Sequence, residues 1–228
     1  MEKKRTIIRK IRDHLAWRFK KVNSYIVRMI DNCHDLKITG RPLAGYKQIS
    51  TEGSTNYKAT NYWVLDKIFS DRTFSPNDSF VDVGCGKGRL LAYMLKKGVP
   101  CKITGIEQDP ETASVTKAWI ARYPKEKVRV IEGDAFLQQY DSYTIIYIFR
   151  PFQTDYFIRF IKLLEQQLTH PVSFYYMSAQ VNGGFLKKRP GWQLVRTGSL
   201  YKEHGFYLYT SPQKFAEWLY TPDTSNKE

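Results

Sequence analysis

The chain has 228 residues and 42% hydrophobic content, enough to bury one full α/β core. Nothing in it approaches the roughly 18 consecutive apolar residues of a membrane-spanning helix. Its three cysteines, Cys33, Cys85 and Cys101, form neither a paired framework nor a metal-ligand spacing, which argues against a disulfide scaffold or a metal site and suits a reducing cytoplasm.

The net charge of +14 is uneven. Residues 1–30 hold 10 Lys/Arg against 2 Asp/Glu, a net +8, which leaves 26 against 20, or +6, for the rest. This start lacks the uninterrupted apolar core and small-residue cleavage site of a secretory signal. An organelle presequence, Arg-rich and amphipathic, is less excluded, although Ser is scarce. Ile8, Ile11, Leu15, Phe19, Val22, Ile26 and Ile30 recur at three- and four-residue steps, an apolar stripe on a helix. Three readings compete: a helix packing its stripe on the core with a solvated basic face, a helix lying on an anionic membrane surface, and a nucleic-acid clamp. Residues 32–56 break the periodicity with Gly40, Pro42, Gly45 and Gly53 and read as a linker or lid. A Tyr57-x-x-Thr60-x-Tyr62 segment then leads into a helix over 63–69.

Residues 79–84 read as a buried parallel strand, with Phe80, Val81 and Val83 apolar towards both faces. Gly84, Gly86 and Gly88 follow at alternate positions, where a backbone without Cβ atoms turns sharply and brings its amides close to a ligand. A helix over 89–97 begins at once, so the turn sits at a helix N-terminus with unpaired N–H groups. Strands at 102–107, 127–132, 143–149, 172–178, 193–199 and 206–210 alternate with helices at 110–121 and 154–168, which predicts a parallel sheet. The last two strands are joined by the short 201–205 segment and are expected to pair antiparallel. Gly183, Gly184, Pro190 and Gly191 leave little room for a helix in 179–191, which reads as a loop on the substrate side.

A dinucleotide-binding turn would carry its third glycine at position 89, which is Arg89. The observed G-x-G-x-G spacing, with Asp82 two residues ahead, resembles motif I of class I S-adenosylmethionine-dependent methyltransferases. The resemblance covers about residues 57–210. It implies a seven-stranded, mostly parallel sheet with an antiparallel last strand and helices on both faces, preceded by an N-terminal helical extension. It further implies that Glu107, ending the second strand, grips the ribose with charge-assisted bonds of about 1.5–3 kcal/mol each. Asp134 and Ala135 would meet the adenine, although Asp134 also reads as an N-cap. Asp82, Gly84, Cys85, Gly86, Gly88, Gln108 and Phe149 complete the implied cofactor set, with Cys85 doubling as a small packing residue. The Tyr57/Thr60 segment is similar to one in a bacterial subgroup, where it would fold over the cofactor; otherwise these tyrosines pack the first helix onto the sheet. On this reading residues 1–56 are a basic helical extension and linker, and 57–228 the catalytic domain.

The fourth strand ends in Phe149-Arg150-Pro151-Phe152. Related sequences often carry Asn where Arg150 stands, to accept from a target amino group. Arg has five donors and no acceptor, which argues against base-amino methylation, and Phe152 stands where cytosine-ring methylation needs Cys. A cation at Arg150 suits an anionic substrate group such as carboxylate or phosphate, or else pairs with a helix acid. If the acceptor must lose a proton, Tyr62, His204 and Tyr207 are the candidate bases. The expected function is methyl transfer to a small or membrane-associated anionic acceptor by a cytoplasmic protein, peripheral at the membrane in one reading. RNA is the alternative acceptor, and a non-catalytic basic module retaining the cofactor pocket is the second alternative.

Overall fold

The computed structural model describes residues 25–47, 53, 57–199 and 214–223. Helix α1 spans 25–39. Its buried positions are Val27, Asp31, Asp35 and Thr39, spaced four apart. That polar inner face corrects the linker-or-lid reading over residues 32–39, because the helix continues on buried carboxylates after the apolar pattern has ended. Gly40 closes it at φ +73, with its amide donating to the Leu36 carbonyl at 3.0 Å, a left-handed C-terminal stop.

Beyond α1, β1 (Tyr46–Lys47) and β2 (Tyr57–Lys58) form a small antiparallel pair ahead of α2 (Tyr62–Phe69). The main alternation follows: β3 (Ser79–Val83), α3 (Arg89–Lys96), β4 (Lys102–Glu107), α4 (Pro110–Ile120), β5 (Val128–Glu132) and β6 (Ile145–Phe149). It closes with α5 (Thr154–Gln167), β7 (Val172–Met177), α6 (Ala179–Leu186), β8 (Trp192–Ser199) and β9 (Lys214–Tyr220). The seven strands lie in the order β5-β4-β3-β6-β7-β9-β8. β9 runs antiparallel to both its neighbours, and the pairs from β5 to β7 are parallel. The expected architecture is therefore present.

Both faces of the sheet are covered, which is why β3 and β6 are apolar at successive positions. Phe80, Ile103, Ile145, Tyr147 and Tyr175 pack under α2, α3 and α4, while Val81, Val83, Ile146, Ile148 and Tyr176 pack under α5 and α6. Two expectations change. Residues 179–186 form α6 rather than a loop. Its glycines cost about 1 kcal/mol each in helix propensity, offset by burial of Leu186 and by Asn182, which bonds the Tyr176 hydroxyl and Thr154 Oγ1 at 3.1 Å each. The strand expected at 206–210 lies outside the described residues, and the antiparallel partner of β8 is the later segment Lys214–Tyr220. Phe215, Trp218 and Tyr220 are its buried anchors.

Candidate active site

The carboxyl ends of β3, β4 and β6 open onto a crevice of about 920 Å³, solvent-exposed space included, where ligands of open α/β sheets bind. The glycine turn forms one wall. Gly84 and Cys85 both donate to the Ile106 carbonyl at 2.9 Å, which carries the turn along β4. Helix α4 then pins its far side: Thr116 Oγ1 donates to the Gly86 carbonyl at 2.8 Å and Trp119 Nε1 to the Lys87 carbonyl at 3.0 Å. Glycine is required at two of these positions. Gly84, at φ +76, would put a Cβ 2.7 Å from Pro151 Cβ; Gly88, at φ +81, would put one 2.8 Å from Thr116 and 2.9 Å from Trp119.

Asp82 and Glu107 are the two carboxyl groups at the turn. Asp82 is buried on β3, and burial, reinforced by the charge of Glu107, holds its carboxyl well above the usual range. Glu107 accepts from Gly86 N at 2.7 Å and Asp109 N at 2.9 Å. Its pKa is still raised, because desolvation outweighs those amides. A carboxylate has about four acceptor sites, and with the Gly86, Asp109 and Gln108 amides on it Glu107 keeps capacity for a ribose hydroxyl while bracing the loop. The Cys85 thiol is pushed up by burial first and then by both carboxylates, which leaves it an unreactive packing residue against Gly105.

The structure brings most of the expected residues together. Thr60, Asp82, Gly84, Cys85, Glu107, Gln108, Ala135 and Phe149 line the crevice. Gly86 and Gly88 shape the turn from behind. Asp134 caps the short 3-10 turn Ala135–Leu137, accepting from Phe136 N at 2.9 Å, while its neighbours Gly133 and Ala135 line the crevice. Tyr57 is described by backbone alone, in β2. Among the candidate bases, Tyr62 sits in the core, where its hydroxyl donates to Asp35 at 3.1 Å, and burial drives its pKa far upward. His204 and Tyr207 lie outside the described residues.

Arg150 and Ser178 stand at the sheet's carboxyl edge, one residue past the register pair Phe149↔Met177. They are the non-glycine residues with positive φ among those described, at +43 and +71. Such backbone costs about 1–3 kcal/mol per residue and clusters at functional sites. Arg150 is exposed, and its charge lowers the Tyr176 hydroxyl, which burial nevertheless pushes up to about 12.

Sequence reasoning missed Tyr147 and Arg89, which also line the crevice. Tyr147 shares a strand face with Phe149, pairs in register with Asp82, and its hydroxyl lies 3.3 Å from Thr60 Oγ1; the two-residue period was the available signal. Arg89 is almost fully buried and meets Asp35 at 2.6 Å and Asp31 at 3.2 Å. Nothing local in the sequence pairs residues so far apart. The connection from α1 to α2 also reaches the far wall: the Gly53 carbonyl accepts from Gln153 N at 2.8 Å, and a Cβ on Gly53 would meet the Tyr156 ring of α5 at 2.5 Å.

Residues 80–166 match a family model described as a methyltransferase domain. An RNA methyltransferase from Salinibacter ruber, solved with S-adenosyl-L-homocysteine, superposes with a TM-score of 0.54 at 18% identity, covering 75% of this chain and 97% of its own. A putative methyltransferase from Escherichia coli gives 0.56 at 16% identity, covering 78% and 100%. These likenesses are of fold. A peramine synthetase from Metarhizium rileyi is 27% identical over 96 residues, which is 41% of this chain and 3% of that protein. The matched stretch begins in β3, ends in α5 and carries the glycine turn, Asp82 and Glu107 in one crevice, so this part of the chain is similar to a methyltransferase domain, on a fold shared with class I S-adenosylmethionine-dependent methyltransferases.

Proposed function

We propose that the protein methylates an acceptor carrying an anionic group, small or membrane-associated, and that Arg150 recognises that group. The observation that carries the reading is the strained pair Arg150 and Ser178, side by side beyond β6 and β7, next to the crevice-lining Phe149 and Pro151. The crevice fits the cofactor: a glycine turn without side-chain bulk, a carboxylate at the end of β4, and apolar walls at Leu90, Phe149 and Phe152. When bound, S-adenosylmethionine supplies an activated methyl group on a sulfonium. The protein's share is to hold an acceptor atom in line at about 3–3.5 Å and to exclude water. Asp82 and Glu107 line the crevice as hydrogen-bond acceptors, and Arg150 offers a planar fork of donors to a carboxylate or phosphate.

Labelled methyl donor incubated with fractionated extract tests this reading, and label is expected in the lipid or small-molecule fraction. Replacing Arg150 with Gln is expected to raise the acceptor KM roughly 10- to 100-fold, from a lost charge-assisted bond, with cofactor affinity held. An unchanged acceptor KM, or label confined to RNA, would replace the proposal.

A further inference from the structure

Helix α1 is amphipathic in the reverse sense to an ordinary surface helix. Its inner face is Val27, Asp31, Asp35 and Thr39, and its outer face exposes Tyr25 (62%), Ile26 (40%), Met29 (62%), Ile30 (49%) and Leu36 (49%). At 100° per residue the two sets centre on opposite sides of the helix. The inner face is committed: Asp31 and Asp35 hold Arg89, and Asp35 also accepts from Leu43 N at 2.8 Å. An alternative packing that turned the apolar side inward would leave the buried Arg89 without its two carboxylates. Thus Ile26 and Ile30, the described end of the sequence stripe that begins at Ile8, do not pack on the core.

We infer that this outer face docks onto an anionic lipid surface. Charge complementarity selects the occupant: the stripe runs through the segment with a net +8 over residues 1–30, and Arg28, Lys37 and Arg41 are exposed along the described part. Basic residues beside an apolar helical face are what an interfacial helix presents to anionic headgroups and acyl chains. RNA is held mainly through phosphate charge and aromatic stacking, which gives the aliphatic Met29, Ile30 and Leu36 little to do. A second copy would bring one +8 segment against another. Among the described residues no helix is long and apolar enough to cross a membrane, so the contact is one of lying on the surface. Arg89 both anchors α1 and lines the crevice, which puts the docking helix beside the cofactor site. The inference deepens the membrane-associated acceptor of the proposed function, and its test does not depend on turnover.

The test is co-sedimentation of the full chain with vesicles of phosphatidylglycerol and phosphatidylcholine in equal parts, and with phosphatidylcholine alone, for wild type and a Met29→Glu/Ile30→Glu variant. Wild type is expected to bind the mixed vesicles at least roughly tenfold more tightly than the neutral ones, and the variant to lose roughly tenfold or more, with cofactor binding by calorimetry unchanged. No vesicle binding by wild type, or equal binding by the variant, would overturn the inference. So would a lipid-free dimer that the variant abolishes, or a short RNA bound more tightly than the vesicles. Vesicle binding with no anionic acceptor found would sink the acceptor reading and leave the docking face standing.

Discussion

Replacing Arg89 with Met tests how firmly α1 is held. The guanidinium donates to Asp35 through Nε at 3.1 Å and Nη2 at 2.6 Å, and to Asp31 through Nη1 at 3.2 Å. All three residues are nearly or fully buried. Two carboxylates against one cation already leave an excess negative charge, and burial raises the pKa of Asp31 despite Arg89. Removing the cation leaves both acids uncompensated, a loss of about 3–5 kcal/mol. With an unfolding slope of about 2–3 kcal/mol/M in urea for a chain of this size, the midpoint should fall by about 1–2 M. Circular dichroism against urea reads it. Adding Asp31→Asn and Asp35→Asn to the variant should recover at least half, because neutral amides can still accept from Tyr62 N and Leu43 N, which Asp31 and Asp35 now serve. A midpoint unmoved by Arg89→Met, or a triple variant no better than the single one, would refute the reasoning.

Gly88→Ala should cost about 2–4 kcal/mol, combining left-handed backbone with a clash against Thr116 and Trp119. Gly98→Ala, at φ +64 with nothing within 4 Å of the added carbon, should cost only about 1–2 kcal/mol; equal thermal shifts would show that the clash at Gly88 is absent. Asp82 has a raised folded-state pKa, so its contribution is fully present below the unfolded value of about 3.9 and is lost as pH rises through the folded value. Thermal melts should therefore turn progressively in favour of Asp82→Asn as pH increases, and a constant difference would contradict the buried-acid assignment. Tyr62→Phe should lower stability by about 1 kcal/mol through the lost bond to Asp35, while the pH profile of turnover stays as in wild type. A vanished alkaline limb would restore Tyr62 as the base.

The cofactor side of the crevice was legible because its determinants are local. Gly84, Gly86, Gly88, Asp82 and Glu107 sit within one β-α-β stretch, and their backbone demands are written in residue type. The strands and helices from β3 to α5 follow from apolar runs and periodicity for the same reason. What the sequence hid are pairings across long separations. Asp31 and Asp35 look like solvated linker acids until Arg89 is folded against them. α6 is concealed by Gly183 and Gly184, whose weak propensity is overruled by Asn182 and Leu186. β9 was overlooked in favour of a nearer apolar segment, since antiparallel pairing alone does not say which stretch after the turn supplies the partner. The outward apolar side of α1 was legible as a stripe but not as to direction, because direction is decided by what the opposite side binds.

The contact between Gly84 and Pro151 sets a limit on how this site can vary. With a hypothetical Cβ only 2.7 Å from Pro151 Cβ, the glycine turn abuts the end of β6, with no side chain between them as a spacer. A displacement transferring one carbon tolerates little slack between its two partners, and in the proposed reading that spacing would be set by main chain against a proline ring. Neither of these two positions can be enlarged without prising the halves apart. If Arg150 recognises the acceptor as proposed, new acceptor preferences would arise mainly through it and the residues around the start of α6, while the spacing itself stays constant.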